Sequence, residues 1–242
     1  MFKNYLKTSW RNLVKDKNYT LLNILGLSIG MGVVLVIGLW VQYQFSYDRF
    51  LPQYQQVYRT MLRINRNGEA DAGYATCLPL ANALKADIPE IRYVAQTDLI
   101  GQHSLTVADK KLYIKGVFAG EDFLKIFQYP LLQGNAAQIL KDPASIVLTR
   151  STAMALFGNE DPINKIVRID NQHNVKVTGI LADVPANATL RFNYIIPFSF
   201  YIQTQNWIKN NLDNWNLNPS LPLLRCNLML QWRRLRLSSK QL

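Results

Sequence analysis

The chain has 242 residues, room for one sizeable domain or two small ones beside any membrane segment, and 49% hydrophobic with 18% charged residues is a folded protein's composition. Of the +11 net charge, +9 lies in residues 1–20 and 214–242, so the 193 residues between them are close to neutral. A high overall charge of this kind argues against a nucleic-acid-binding domain, because the excess is confined to the two ends. Two cysteines, Cys77 and Cys226, without any CxxC or Cys/His cluster, exclude a disulfide-framed scaffold and give no zinc-site spacing. One long-range disulfide and two unpaired thiols are both compatible with them.

In chain order, "MFKNYLKTSWRNLVKDKNY" comes first. Phe2, Tyr5, Leu6, Ser9, Trp10, Leu13 and Val14 recur at helical spacing, and Lys3, Lys7, Arg11 and Lys15 recur every four residues on another face. This predicts an amphipathic helix over residues 1–18, lying in a membrane interface with Trp10 beside the basic row. A plain basic flank for the following segment is the simpler alternative. "LLNILGLSIGMGVVLVIGLWV", Leu21 to Val41, then runs 21 positions without a charge. At ~1.5 Å per residue it covers about 30 Å, the hydrocarbon thickness of a bilayer. It is longer than a signal-peptide core, and the bulky Trp40, Tyr43, Phe45 and Tyr47 stand where a cleavage site needs small residues. A transmembrane helix over 19–45 is therefore expected. Five basic residues precede it and only Arg49 and Arg59 follow at comparable distance, which places the N-terminus in the cytoplasm and the rest outside. Within the span, Gly26, Ser28, Gly30 and Gly32 are candidate helix-packing positions, since small residues let a second helix approach closely.

Beyond the span, "VYRTMLRIN" alternates up to the Asn67-Gly68 turn signal, and "CLPLANALKADIPEI" predicts a helix with Leu80, Ala83, Leu84 and Ile88 on one face, stopping at Pro89. "YVAQTDLI" reads as a strand, and "HSLTVADKKLYIKGVFAG" as a hairpin across Asp109-Lys110. "EDFLKIF" reads as a short helix, with Glu121-Asp122 complementing its dipole. "SIVLTRSTAMALFG" predicts strand, cap and helix, with Thr149 or Ser151 as N-cap and Gly158 as the stop. "NKIVRID" and "NVKVTGIL" form a hairpin around Asn171-Gln172, and "FNYIIPFSF" gives a last strand interrupted by Pro197. The sum is an α+β domain with much antiparallel pairing, not an alternating βαβ array.

No constellation in the sequence carries chemistry. There is no GxxxxGK[ST], GxSxG, HExxH or GxGxxG. His103 and His173, the only histidines, lie in hairpin-like polar contexts and read as solvated surface residues, and the aromatics Tyr54, Tyr58, Phe118, Phe123 and Phe127 read as core. No cofactor, metal or catalytic residue is assigned, and the chain is read as a non-catalytic membrane subunit.

Several stretches together resemble the MacB/FtsX-like family of ABC transporter permeases: "WRNLVKDKNYTLLNILGLSIGMG", "SYDRFLPQYQQVYR", "GVFAGEDFLKIFQYPLLQGN", "SIVLTRSTAMALFGNEDPINKIVRID" and "VTGILADVPANATLRFNYIIPFSF". The resemblance implies a MacB-type periplasmic core domain over 46–215. Its first lobe would comprise 46–100 and 190–215, with a strand-rich lobe, 101–189, inserted between them. It also implies a bacterial inner-membrane permease subunit that pairs as a homo- or heterodimer, binds a cytoplasmic ABC ATPase, and converts ATP-driven helix movement into periplasmic conformational change. The departures are Asn164 where relatives often carry Gly, and Thr189 and Asn193 where a His and an Asp are common. From Leu221 the chain is Leu- and Arg-rich, lacks acids, and looks unlike the strand that should follow. Residues 216–242 are therefore expected to be a basic tail, read as the out-of-frame end of a truncated product. The alternative function is a single-span anchored periplasmic binding or scaffold protein that works without ATP.

Overall fold

The computed structural model describes residues 2–66, 69–98, 100–217 and 221–226. Contacts divide the chain into two units, residues 1–47 and 48–242. The first consists of α1 (Phe2–Lys15) and α2 (Lys17–Phe45). The helices break at Asp16, whose backbone leaves helical geometry (φ −108°, ψ 64°) while its carbonyl accepts the Thr20 amide at 3.0 Å. α2 buries none of its residues, and among the described residues it is the one helix long and apolar enough to cross a membrane. An apolar helix with no protein around it needs lipid as its solvent.

The second unit is a mixed α+β domain. Its strands are β1 (Val57–Arg59), β2 (Leu62–Arg66), β3 (Glu69–Gly73), β4 (Ile91–Thr97), β5 (Gly101–Val107), β6 (Lys110–Ala119), β7 (Leu131–Gly134), β8 (Ser145–Thr149), β9 (Ile166–Ile169), β10 (His173–Leu181), β11 (Tyr194–Pro197) and β12 (Leu221–Cys226). Its helices are α3 (Leu80–Asp87), α4 (Phe123–Phe127), α5 (Arg150–Phe157), α6 (Phe198–Thr204) and α7 (Asn206–Lys209).

Six strands close on themselves. β6 pairs with β11, β11 with β8, β8 with β10, β10 with β9, β9 with β5, and β5 returns to β6. Two of these six pairings, β6–β11 and β8–β10, are parallel. Closure leaves these strands without a free edge, the usual point of weakness of an antiparallel sheet. The period of two then sorts side chains by face. Leu105, Phe118, Ile146, Leu148, Val167, Ile169, Val175, Val177, Tyr194 and Ile196 fill the interior, which α5, α6 and α7 help to plug with Leu156, Phe157, Phe198, Phe200 and Ile208. Their neighbours Val117, Ala119, Val147 and Ile195 face outward into a second core with Leu51, Ala95, Phe123, Phe127, Tyr129 and Phe192. A third, smaller cluster packs α3 on β4 and β12 through Leu84, Ile91 and Leu224.

Tight approach explains two glycines. A Cβ on Gly116 would stand 2.0 Å from Cζ of Tyr194, and one on Gly134, which sits at φ +107°, would stand 2.5 Å from the Thr178 carbonyl oxygen. Gly158 stops α5 with φ +65° and donates to the Met154 carbonyl at 2.8 Å, as expected for a helix C-terminus.

Several local readings shift. The β5–β6 turn is Ala108-Asp109, with Ala108 at φ 48°, because Val107 pairs with Lys110; this is one residue earlier than the predicted Asp109-Lys110. The β9–β10 loop is Asp170-Asn171-Gln172, with Asp170 and Asn171 both at positive φ. β2 and β3 pair up to Arg66↔Glu69, and the Asn67-Gly68 turn itself lies outside the described residues. Thr149 takes the N-cap position of α5, but its hydroxyl meets that of Thr152 at 2.9 Å instead of capping an amide. Asp122 holds the N-cap position of α4 without capping an amide through its side chain; it is buried and takes Lys85 Nζ at 3.3 Å and Lys125 Nζ at 2.7 Å.

The absence of a strand after residue 220 is corrected. Leu221–Cys226 forms β12, seated antiparallel between β1 and β4. Leu223 and Leu224 supply its apolar surface, and Arg225 crosses to the Lys125 carbonyl at 2.6 Å. Long-range pairing outweighs the basic composition that suggested a tail. Residues 227–242 of that tail lie outside the described residues. The barrel takes its sixth strand, β11, from beyond residue 189, where the inserted lobe was expected to end.

Candidate functional site

The expected site residues of the N-terminal unit all lie on exposed helix surface. At ~100° per residue, Lys3, Lys7, Arg11 and Lys15 sweep a basic row down one side of α1, and Trp10 and Val14 lie along its margin. Trp10 is 70% exposed. No acidic residue stands in α1, and Asp16 makes no side-chain cap to α2. In α2, Gly26 and Gly30 stack one turn apart, as do Ser28 and Gly32, but the two pairs lie about 200° apart around the axis. The four positions are therefore two small-residue faces, not one. A Cβ at Gly26, Gly30 or Gly32 would meet nothing within 4 Å, in contrast to Gly116 and Gly134 in the barrel domain.

The exit from α2 is built more tightly. Ser46 closes the helix, its amide and hydroxyl donating to the Tyr43 carbonyl at 3.1 and 2.7 Å, and Tyr43 and Tyr47 meet edge-on at 5.4 Å. Asp48 then enters the left-handed region (φ 57°). Its amide donates to the Asn187 carbonyl at 3.0 Å, one carboxylate oxygen accepts the Thr189 amide at 2.9 Å, and the other accepts the Thr189 hydroxyl. Three bonds thus tie the first residue of the domain to a segment 141 positions away. Two residues on, Phe50 packs at 6.1 Å on Tyr129, which meets Phe192 at 5.2 Å. Burial and the Asp48 charge push the Tyr129 phenol well above its ordinary range. Thr189, a departure from the family pattern, is the clamp's second half. Asn164, another, adopts φ 65°, a conformation that glycine takes freely and asparagine tolerates. Asn193 instead links strands through its backbone, donating to Lys115 and accepting from Thr149.

Sequence reasoning assigned no role to Asp48 or Thr189, although both lie in the quoted stretches. It also missed Asp98, which is 7% exposed, accepts the Phe118 amide at 2.8 Å and donates its own amide to the Phe118 carbonyl. Burial, only partly offset by that amide, raises its carboxyl to about 7. The histidines are half-buried, not fully solvated. His103 is half-buried, with Nδ1 2.6 Å from Asp170 Oδ2 and its ring edge-on to Phe118, and His173 lies edge-on to Phe200. Burial pushes the Cys77 thiol up, while the side chain of Cys226 lies outside the described residues. Among the described residues no three His, Cys, Asp or Glu side chains gather as metal ligands would.

The chain thus joins a helix long and apolar enough to cross a membrane to a barrel-based α+β domain. The family model for the MacB-like periplasmic core domain matches residues 20–221, and the chain belongs to that family. Among solved structures it is similar to a domain described as part of a permease protein from Porphyromonas gingivalis, at 19% identity and a TM-score of 0.63, over 74% of this chain and 76% of that one. It is also similar to the periplasmic region of MacB from Actinobacillus actinomycetemcomitans (17%, TM-score 0.51, 76% and 79% covered). A third likeness is to the extracellular domain of the noncanonic ABC-type transporter YknZ from Gram-positive bacteria (14%, TM-score 0.50, 71% and 84% covered). At these identities the likenesses establish the fold. No curated protein matches the chain in sequence.

Proposed function

We propose that the chain belongs to the permease subunit of an ABC-type export system and couples a cytoplasmic ATPase to conformational change in its periplasmic domain. The observation that carries this reading is the continuity of α2 into a MacB-like domain whose first residue, Asp48, is bonded at once to Asn187 and Thr189. A displacement arriving along a helix reaches a domain more directly the shorter the connection, and only Ser46 and Tyr47 separate the end of α2 from Asp48. The basic flank of α2 supports an inner-membrane orientation with the N-terminus in the cytoplasm. α1 then lies along the inner leaflet through Trp10, with Lys3, Lys7, Arg11 and Lys15 toward the headgroups. The Gly26/Gly30 face receives a helix of a second permease subunit, and Ser28/Gly32 serves a second contact. The working division of the domain is a first lobe of 46–100 with 190–215 and an inserted lobe of 101–189, the returning segment lending β11 to the inserted lobe's barrel.

The test is reconstitution of the full chain with a cytoplasmic ABC ATPase in lipid nanodiscs. Copurification and a changed ATP turnover are expected. Asp48→Ala should leave copurification intact and remove the effect on turnover. An ATPase that neither binds the chain nor changes its rate refutes the coupling and favours an anchored scaffold.

A further inference from the structure

The outside of the barrel is half covered. On the β6–β11–β8 side, Val117, Ala119, Ile195 and Val147 lie beneath α4, β4 and the Tyr129 cluster. On the β10–β9–β5 side, and on the near half of β6, Lys176 and Asn174, Arg168 and Ile166, Gln102, and Lys111, Tyr113 and Lys115 point outward and are exposed, with the half-buried Thr106 and the buried Ser104 between them on β5. The register aligns Lys111, Thr106, Arg168 and Asn174 in one row across four strands, with Tyr113 beside Ser104 and Lys115 beside Gln102 in the next rows. With strands about 4.8 Å apart and alternate residues about 6.7 Å apart, the register spreads Lys111, Lys115, Arg168 and Lys176 over a patch roughly 25 Å across.

No acidic residue stands in β5, β6, β9 or β10. Asp109 and Asp170 mark the margins, and Asp170 is occupied by His103 and the Ser104 amide. Among the described residues none of Lys111, Lys115, Arg168 and Lys176 has a carboxylate in ion-pair range. Like charges at neighbouring positions of one sheet face repel, so the arrangement costs stability unless a negative partner compensates it. Two large apolar groups stand among the cations: Tyr113 is 68% exposed and Ile166 52%. A polyphosphate or other hydrophilic polyanion has no use for an exposed isoleucine, whereas a protein interface joins apolar anchors to a charged rim.

We propose that the bare β10–β9–β5–β6 face is a docking surface for an acidic protein partner, with Tyr113 and Ile166 as anchors and Lys111, Lys115, Arg168 and Lys176 as the complementary charges. The probe is a fluorescent peptide alternating glutamate with leucine and phenylalanine, bound to the full chain in phosphatidylcholine nanodiscs and followed by anisotropy. Polyphosphate of matched charge and phosphatidylglycerol vesicles serve as competitors. Binding should weaken with salt and fall at least tenfold in both K115E/R168E and Y113S/I166S, with unchanged unfolding midpoints. If K115E/R168E fails to fold, K115Q/R168Q should give an intermediate loss. Peptide binding indifferent to K115E/R168E overturns the proposal. So does polyphosphate bound more tightly than the peptide and indifferent to Y113S/I166S, which marks a polyanion site. Displacement of the peptide by the vesicles in wild type but not in K115E/R168E also overturns it, by marking a membrane surface.

Discussion

Replacing Asp98 by Asn gives the sharpest test of the domain's energetics. The carboxyl is raised from 3.8 to about 7 in the folded state because burial penalises its charge more than the Phe118 amide compensates. A folded state that binds a proton more tightly than the unfolded one loses stability as pH rises between those two values. The wild type should therefore be most favoured by this group below about pH 4, lose that contribution progressively to pH 7, and be level above it. Three pKa units at 1.36 kcal/mol each set a ceiling of about 4 kcal/mol on the loss. Asn keeps an oxygen for the Phe118 amide and carries no charge, so D98N should show no such slope and exceed the wild type in stability by about 2–4 kcal/mol at pH 8. Urea denaturation of the full chain in detergent, followed by near-ultraviolet circular dichroism at intervals from pH 4 to pH 8, measures both curves. Subtracting them cancels the other titrating groups. A difference that stays constant with pH, or D98N less stable at pH 8, would falsify the reasoning.

Gly116→Ala must displace the Tyr194 ring and should cost about 2–3 kcal/mol of stability by the same denaturation assay. Tyr194→Phe removes a buried hydroxyl that has no hydrogen-bond partner, and should be neutral or stabilising by about 1 kcal/mol. Asp48→Ala removes the two carboxylate bonds to Thr189 and keeps the backbone bond to Asn187; a stability loss near 1–2 kcal/mol is expected, together with faster amide exchange at Thr189. Gly30→Leu should reduce cross-linking between membrane helices without moving the unfolding midpoint of the domain, since among the described residues nothing lies within 4 Å of a Cβ at that position. Neutralising Lys3, Lys7, Arg11 and Lys15 with Gln should weaken the full chain's preference for anionic over zwitterionic vesicles in flotation, each charge contributing about 1 kcal/mol.

Legibility differed between the two units. The amphipathic α1, the apolar α2, the Gly158 stop and both barrel hairpins could be read from sequence, because helical and strand periods and turn chemistry act over a few residues. The turns slipped by about one position where Ala108 and Asp170 adopt positive φ, a choice made by strand register and not by the turn residues alone. Nothing local could show that Tyr194–Pro197 would sit in parallel beside Gly116–Ala119 and antiparallel beside β8, or that Leu221–Cys226 would pair with β1 and β4. Closure into a barrel is a property of the whole set of pairings. It decides which half of the barrel's outer surface is buried and which carries bare lysines.

The functional features divide along the same line. The sequence by itself determined the membrane helix, its basic flank, the small-residue positions and the family, all of which follow from composition and order along the chain. Tertiary structure alone decided that Asp48 closes on a threonine 141 residues away and that Asp98 is buried. A charge on a flexible chain has water around it at every position. Only the folded packing removes that water from Asp98 and leaves it around Arg168.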